Sequence, residues 1–119
     1  MDVLITDDSS FMRKVLHNIV KDLEFDEIYE AESGEECIKK FKNKKPVLVL
    51  LDIVMGGMSG LETLEKIMEI DENQRVIMIS AVGQKKMVED ALNKGAKEFI
   101  EKPFDNKDVK ETIVNVLSD

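Results

Sequence analysis

Residues 47–52 read Val47-Leu48-Val49-Leu50-Leu51-Asp52, five aliphatic side chains in succession and then a carboxylate. A run without polar alternation suits a strand covered by helices on both faces, the environment of a parallel sheet. An ionised carboxylate at its end is costly unless partners meet it, so Asp52 is hard to explain as packing. Outward from this run, Val3–Thr6, Glu27–Ala31, Val76–Ser80 and Glu98–Glu101 are likewise rich in β-branched and aliphatic residues and read, with Val47–Leu51, as strands.

Amphipathic stretches separate them. Met12, Val15, Leu16, Ile19, Val20 and Leu23 repeat at the spacing of a single helical face. Ser33-Gly34-Glu35-Glu36 opens a second helix with a capping box, and Cys37, Ile38 and Phe41 form its apolar face. A third follows Gly60 with Leu61, Leu64, Ile67 and Met68. A fourth carries Met87, Val88, Ala91 and Leu92 before a Gly95 suited to a left-handed cap, and a fifth carries Val109, Ile113, Val116 and Leu117 after Pro103. Strand and helix alternate five times, which predicts a five-stranded parallel sheet with right-handed crossovers, a three-layer α/β sandwich. No Pro/Ser-rich linker, low-complexity tract or repeat divides the 119 residues, so a single domain over 1–119 is expected.

Seventeen basic against 25 acidic residues give a net charge of −8, which argues against nucleic acid and anionic membrane surfaces. The charge is uneven: residues 1–82 carry 10 basic and 17 acidic side chains, residues 83–119 carry 7 and 8, and the nearly neutral C-terminal third suits an acidic partner. The one cysteine, Cys37, has no internal partner and reads as a small core residue, and the N-terminal stretch lacks the features of a signal peptide. The longest apolar run falls far short of the roughly 20 residues a membrane helix needs. A cytoplasmic location is expected.

In an open parallel sheet the binding crevice lies beyond the carboxyl ends of the strands. There the first strand delivers Asp7-Asp8, the third Asp52, the fourth Ser80, and the fifth Lys102-Pro103. Three converging carboxylates repel one another and need a counter-charge. Mg²⁺ fits: it takes hard oxygen ligands, keeps waters and accepts a phosphate oxygen, and no His/Cys cluster competes for zinc. A carboxylate beside a cation and an ammonium group is a covalent nucleophile toward phosphorus, so Asp52 is the expected acceptor, Lys102 the mobile charge and Ser80 a hydroxyl donor to a phosphoryl oxygen.

These residues resemble, from end to end, the receiver domain of two-component response regulators. The resemblance rests on Ile5-Thr6-Asp7-Asp8, Leu51-Asp52-Ile53 with Met55 and Met58-Ser59-Gly60, Ser80-Ala81, and Lys102-Pro103-Phe104. It implies the flavodoxin-like (βα)5 fold with strand order 2-1-3-4-5. Asp8-Ser9-Ser10-Phe11-Met12-Arg13, Ser80-Ala81-Val82-Gly83-Gln84 and Gly95-Ala96-Lys97-Glu98-Phe99-Ile100 are most similar to the chemotaxis subgroup. By that resemblance Asp52 accepts phosphate from a histidine kinase. Asp8, Asp52 and the Val54 carbonyl ligate Mg²⁺, with Asp7 acting through a metal-bound water. Ser80 and Phe99 take the switch positions, and the Lys102-Pro103 peptide is cis. The chain then catalyses only its own phosphorylation and dephosphorylation. As a stand-alone, monomeric regulator it signals by binding a motility motor or adaptor, with a phosphatase as a further partner.

Lys85, Lys86, Lys97, Lys107 and Lys110 are each separately solvated charges, but they share the region of the fourth helix, fifth strand and fifth helix with Phe99 and are read as a partner surface. Asp7-Asp8 alone would be read as a helix N-terminal pair, His17 as solvated, and Met55 and Met58 as core fillers. Gly56 stands where a proline is common, Phe99 lacks the tyrosine hydroxyl of many chemotaxis members, and neither Val54 nor Val82 can orient a hydrolytic water, so self-dephosphorylation is expected to be slow. Competing readings are a phosphorelay intermediate feeding a histidine phosphotransfer domain, and an Asp-nucleophile phosphohydrolase, whose second Asp is replaced by Val54. A flavin-binding module is disfavoured by Asp7-Asp8 where a flavin phosphate would sit.

Overall fold

The computed structural model describes residues 1–81 and 83–118. Strands β1 (Asp2–Thr6), β2 (Glu27–Ala31), β3 (Leu48–Leu51), β4 (Arg75–Ser80) and β5 (Glu98–Glu101) alternate with helices α1 (Ser10–Val20), α2 (Gly34–Lys44), α3 (Gly60–Ile70), α4 (Lys85–Asn93) and α5 (Asn106–Leu117). Every strand pairing is parallel and the sheet runs β2-β1-β3-β4-β5. The chain reverses its direction of travel across the sheet between β1 and β3, which leaves a crevice at their carboxyl ends.

Strand periodicity sorts the core into two halves. Val3, Ile5, Leu48, Leu50, Ile77 and Ile79 pack with Leu16, Ile19, Val109 and Ile113 of α1 and α5. Leu4, Val49, Leu51, Val76 and Met78 pack with Cys37, Phe41, Leu64, Ile67 and Ala91 of α2, α3 and α4. All four β3 residues are fully buried, each worth about 1.5–3 kcal/mol relative to exposure. That burial pins Asp52, the next residue, at a fixed height on the rim.

The elements agree with the sequence expectation apart from details at their ends. β3 starts at Leu48 rather than Val47, whose N–H bonds to the Asp2 carbonyl (2.9 Å) while its side chain is only partly buried. β4 begins one residue early because Arg75 pairs with Leu48. α1 ends at Val20, so Leu23 is not helical; its N–H closes a turn on the Val20 carbonyl (2.9 Å) and its side chain still reaches the core. Ser33 caps α2 by accepting from the Glu36 N–H (3.1 Å), but Glu36 Oε1 accepts from the Glu32 N–H (2.9 Å) instead of from Ser33. Gly95 takes φ +115° after α4, and the Ala96 N–H bonds back to the Ala91 carbonyl (3.1 Å).

Helix α4 is the least anchored. Gln84 at its start provides no side-chain cap, and only Ala91 of its nine residues is buried. A helix holding so little apolar area opens more cheaply than its neighbours. Among the described residues no helix is long and apolar enough to cross a membrane.

Candidate functional site

The rim of β1 and β3 is held by backbone bonds that continue the sheet: Asp7 N–H to the Ala31 carbonyl (3.1 Å) and Asp52 N–H to the Thr6 carbonyl (3.0 Å). Asp7 and Asp52 are therefore buried, 1% and 7% exposed, while Asp8 faces solvent. One carboxylate oxygen from each of Asp7, Asp8 and Asp52 lies within 4.8 Å of the others. Lys102 reaches them from the end of β5, its Nζ 2.9 Å from Asp7 Oδ2 and 3.7 Å from Asp52 Oδ2. Its N–H bonds to the Ser80 carbonyl (2.9 Å), which ties β5 to β4 at the same rim, and the Lys102-Pro103 peptide is cis as expected.

The buried carboxylates are oriented on their other sides. Asp7 Oδ1 accepts from the Ser9 N–H and Asp52 Oδ1 from the Ile53 N–H, both at 2.9 Å. Burial pushes the Asp52 carboxyl above the usual carboxylate range, and the Asp7 charge adds to this; Lys102 pulls the other way. Three carboxylates face one ammonium, leaving an excess of two negative charges among hard oxygen donors. That donor set fits a divalent cation of the Mg²⁺ kind and offers nothing to a thiophilic metal.

Ser80 is buried at the end of β4. Phe99 is half-buried on β5, in register with Met78, and packs on the α2–α3–α4 half of the core. Val54 stands two residues past Asp52 with its side chain 61% exposed, Met55 is buried, and Met58 is half-buried. Val82 lies outside the described residues.

Four of the five lysines stand exposed and the fifth, Lys110, is half-buried. Lys85 and Lys86 are exposed in the first turn of α4, Lys97 is exposed at the far end of that helix, and Lys107 is exposed near the start of α5. Lys110 on α5 is ion-paired with Asp22, just past the end of α1 (2.8 Å). His17 is half-buried and faces Glu30 (3.2 Å) rather than being merely solvated. Cys37 is fully buried, and that burial raises its thiol pKa to about 11.

Two residues carry roles that sequence reasoning passed over. Arg13 donates through Nη1 to the Asp7 carbonyl (2.7 Å) and through Nε to Glu30 Oε1 (3.2 Å), bracing the β1–α1 turn against β2. The signal was the i, i+4 spacing of Arg13 and His17, two potential cations on one helix face. Gly60 is the other: a Cβ there would lie 2.0 Å from the Asp52 carbonyl oxygen and 2.6 Å from Ile53 Cα. Only a glycine lets α3 begin so close to the end of β3, and nothing local announces it.

The doubly wound sheet thus gathers an acidic triad, a lysine and a buried hydroxyl on one rim. The chain belongs to the response regulator receiver domain family, whose model matches residues 3–114. It is similar to the chemotaxis protein CheY of Listeria monocytogenes, 50% identical over 113 residues with 95% of each chain covered. To that of Bacillus subtilis it is 43% identical over 116 residues, with 98% of this chain and 97% of that one covered. The crystal structure of the CheX–CheY–BeF3–Mg²⁺ complex from Borrelia burgdorferi superposes with a TM-score of 0.94 at 45% identity, covering 98% of this chain and 89% of that one.

Proposed function

We propose that this receiver accepts a phosphoryl group on Asp52 from the phosphohistidine of a chemotaxis-type histidine kinase. It then signals by phosphorylation-dependent binding to a motility motor or its adaptor. The observation that carries the reading is the buried Asp52 carboxylate held beside both Asp7 and the Lys102 ammonium. Likeness to CheY proteins along nearly the whole chain supports the chemotaxis assignment. A cytoplasmic site of action accords with it.

Asp52 supplies an oxygen that attacks phosphorus; the phosphorus–nitrogen bond of the donor breaks and its electron pair leaves on the imidazole. Lys102, parked on Asp7, is close enough to shift toward the transferred group and compensate its charge. The Ser80 hydroxyl donates to a phosphoryl oxygen once the group is in place. Asp8, Asp52 and the Val54 carbonyl would hold Mg²⁺, with Asp7 acting through a bound water. When bound there, such an ion would supply positive charge against the phosphoryl oxygens. Phosphorylation then draws the Ser80 hydroxyl toward the phosphoryl group and lets the Phe99 ring turn fully into the core, shifting the population of a surface built on α4, β5 and α5. A CheX-like protein, by likeness to the Borrelia complex, is the proposed phosphatase.

Intact-mass spectrometry with Mg²⁺ and a small phosphodonor tests this. A single-phosphate gain that needs both Mg²⁺ and Asp52, and is lost in Asp52→Asn, is the expected result. No gain with several donors would overturn it.

A further inference from the structure

A concavity of about 480 Å³ lies at the other end of the sheet from Asp52, where β3 and β4 begin. That volume falls in the range of genuine ligand clefts. Its floor includes the buried side chains of Phe41 and Gln74, and Ile70 is 47% exposed at its edge. Three cations, Lys42, Lys45 and Arg75, line it against one carboxylate, Asp71, which accepts from the Asn73 N–H (2.9 Å). The basic run behind it is Lys39, Lys40, Lys42, Lys44 and Lys45 with no acid between, in a chain of net charge −8.

Helix-dipole complementarity explains lysines in the last turn of α2. It does not explain how they are deployed. Lys40 bonds to the Glu30 carbonyl and Lys44 lies 5.3 Å over the Tyr29 ring. Among the described residues Lys42 and Lys45 have no side-chain partner and stand exposed beside the cleft. Lys45 also adopts the left-handed conformation, φ +50°, at the C-cap of α2. Glycine or asparagine fills that position with less strain, so a lysine there keeps a cation at the cleft at a conformational cost.

We infer that this cleft docks a partner segment of alternating acidic and aliphatic side chains, the carboxylates meeting Lys42 and Lys45 and an aliphatic group covering Ile70. Because β3 separates the cleft from the acceptor rim, docking is independent of phosphorylation and leaves Asp52 free. Such a contact tethers the receiver in either state, a role distinct from the switch surface.

The test is a titration of the ¹⁵N-labelled full chain with a blocked hexapeptide alternating glutamate and leucine, followed by amide shifts. Saturable shifts confined to residues 41–47 and 70–75 are expected. Affinity should fall at least about tenfold in Lys42→Glu/Lys45→Glu and in Ile70→Ser, both at exposed positions, and stay unchanged in Asp52→Asn. The inference is overturned if the shifts are absent, if neither variant weakens binding, or if Asp52→Asn abolishes it. Equal shifts with a glutamine-for-glutamate peptide or with sodium acetate alone also overturn it. So does sedimentation equilibrium showing a dimer that Ile70→Ser dissociates, since a second copy then covers the cleft.

Discussion

Replacing the acceptor carboxylate with its neutral isostere, Asp52→Asn, should stabilise the metal-free protein. Asp52 feels Asp7 within 4.8 Å and Lys102 at 3.7 Å; at an effective dielectric of about 20 these amount to about 3.5 kcal/mol of repulsion or more and about 4.5 kcal/mol of attraction. Asp8 adds further repulsion, screened by its exposure, so the charge terms nearly cancel and the cost of burying the charge remains. Asparagine removes that cost while its Oδ1 still accepts from the Ile53 N–H. A gain of about 1–2 kcal/mol at neutral pH follows, seen as a rise of about 0.5–1 M in the urea midpoint with chelator present. Since folding raises the Asp52 pKa, the wild-type chain loses stability as pH climbs from the ordinary carboxylate value of about 3.9 through the folded value. The advantage of the variant should therefore vanish below about pH 4. Saturating Mg²⁺ should reverse the order, because ligand at one hundred times its dissociation constant adds about 2.7 kcal/mol to whichever protein binds it. A variant less stable than wild type in chelator at pH 7 would refute the reasoning, as would a stability gap that does not change with pH.

Gly60→Ala should cost about 1–3 kcal/mol in urea melts and slow phosphorylation, because its Cβ would press on the Asp52 carbonyl at 2.0 Å. Gly56→Ala, with nothing within 4 Å and no left-handed φ, should be neutral or stabilise by about 0.5 kcal/mol. Arg13→Met releases the Asp7 carbonyl, and Mg²⁺ affinity read by calorimetry should fall about tenfold. Cys37, with its thiol raised to about 11, should resist iodoacetamide in the folded protein at pH 8 and react only on unfolding. The phosphorylated chain should decay over minutes in Mg²⁺ as followed by phosphoprotein gels, since the exposed Val54 cannot position water; a half-life of a few seconds would contradict this.

Much of this architecture is legible because the rules that produce it are local. An unbroken aliphatic run such as Leu48–Leu51, short and preceded by Pro46, reads as a strand buried on both faces, and the i, i+3, i+4 spacing of Met12 to Val20 covers a core as a helix. Asp52 stands out for the same reason, as a charge where the run should end in something apolar. The ends of elements were less legible, because the Glu36 carboxylate chose between two adjacent N–H groups that the sequence does not distinguish.

The acidic pair, Asp52, the rim lysine and the alternation of strands with helices were thus legible from residue type and spacing, while the strand order rested on the family resemblance. Only the tertiary structure decided that Lys102 rests on Asp7, 95 residues away, and that Lys110 is occupied by Asp22, 88 residues away. It alone revealed Arg13 bracing the Asp7 carbonyl and the contact that Gly60 must be small enough to permit. Local propensity acts over about one helical turn, whereas these contacts depend on strand register and helix placement, which are settled only when the whole sheet packs.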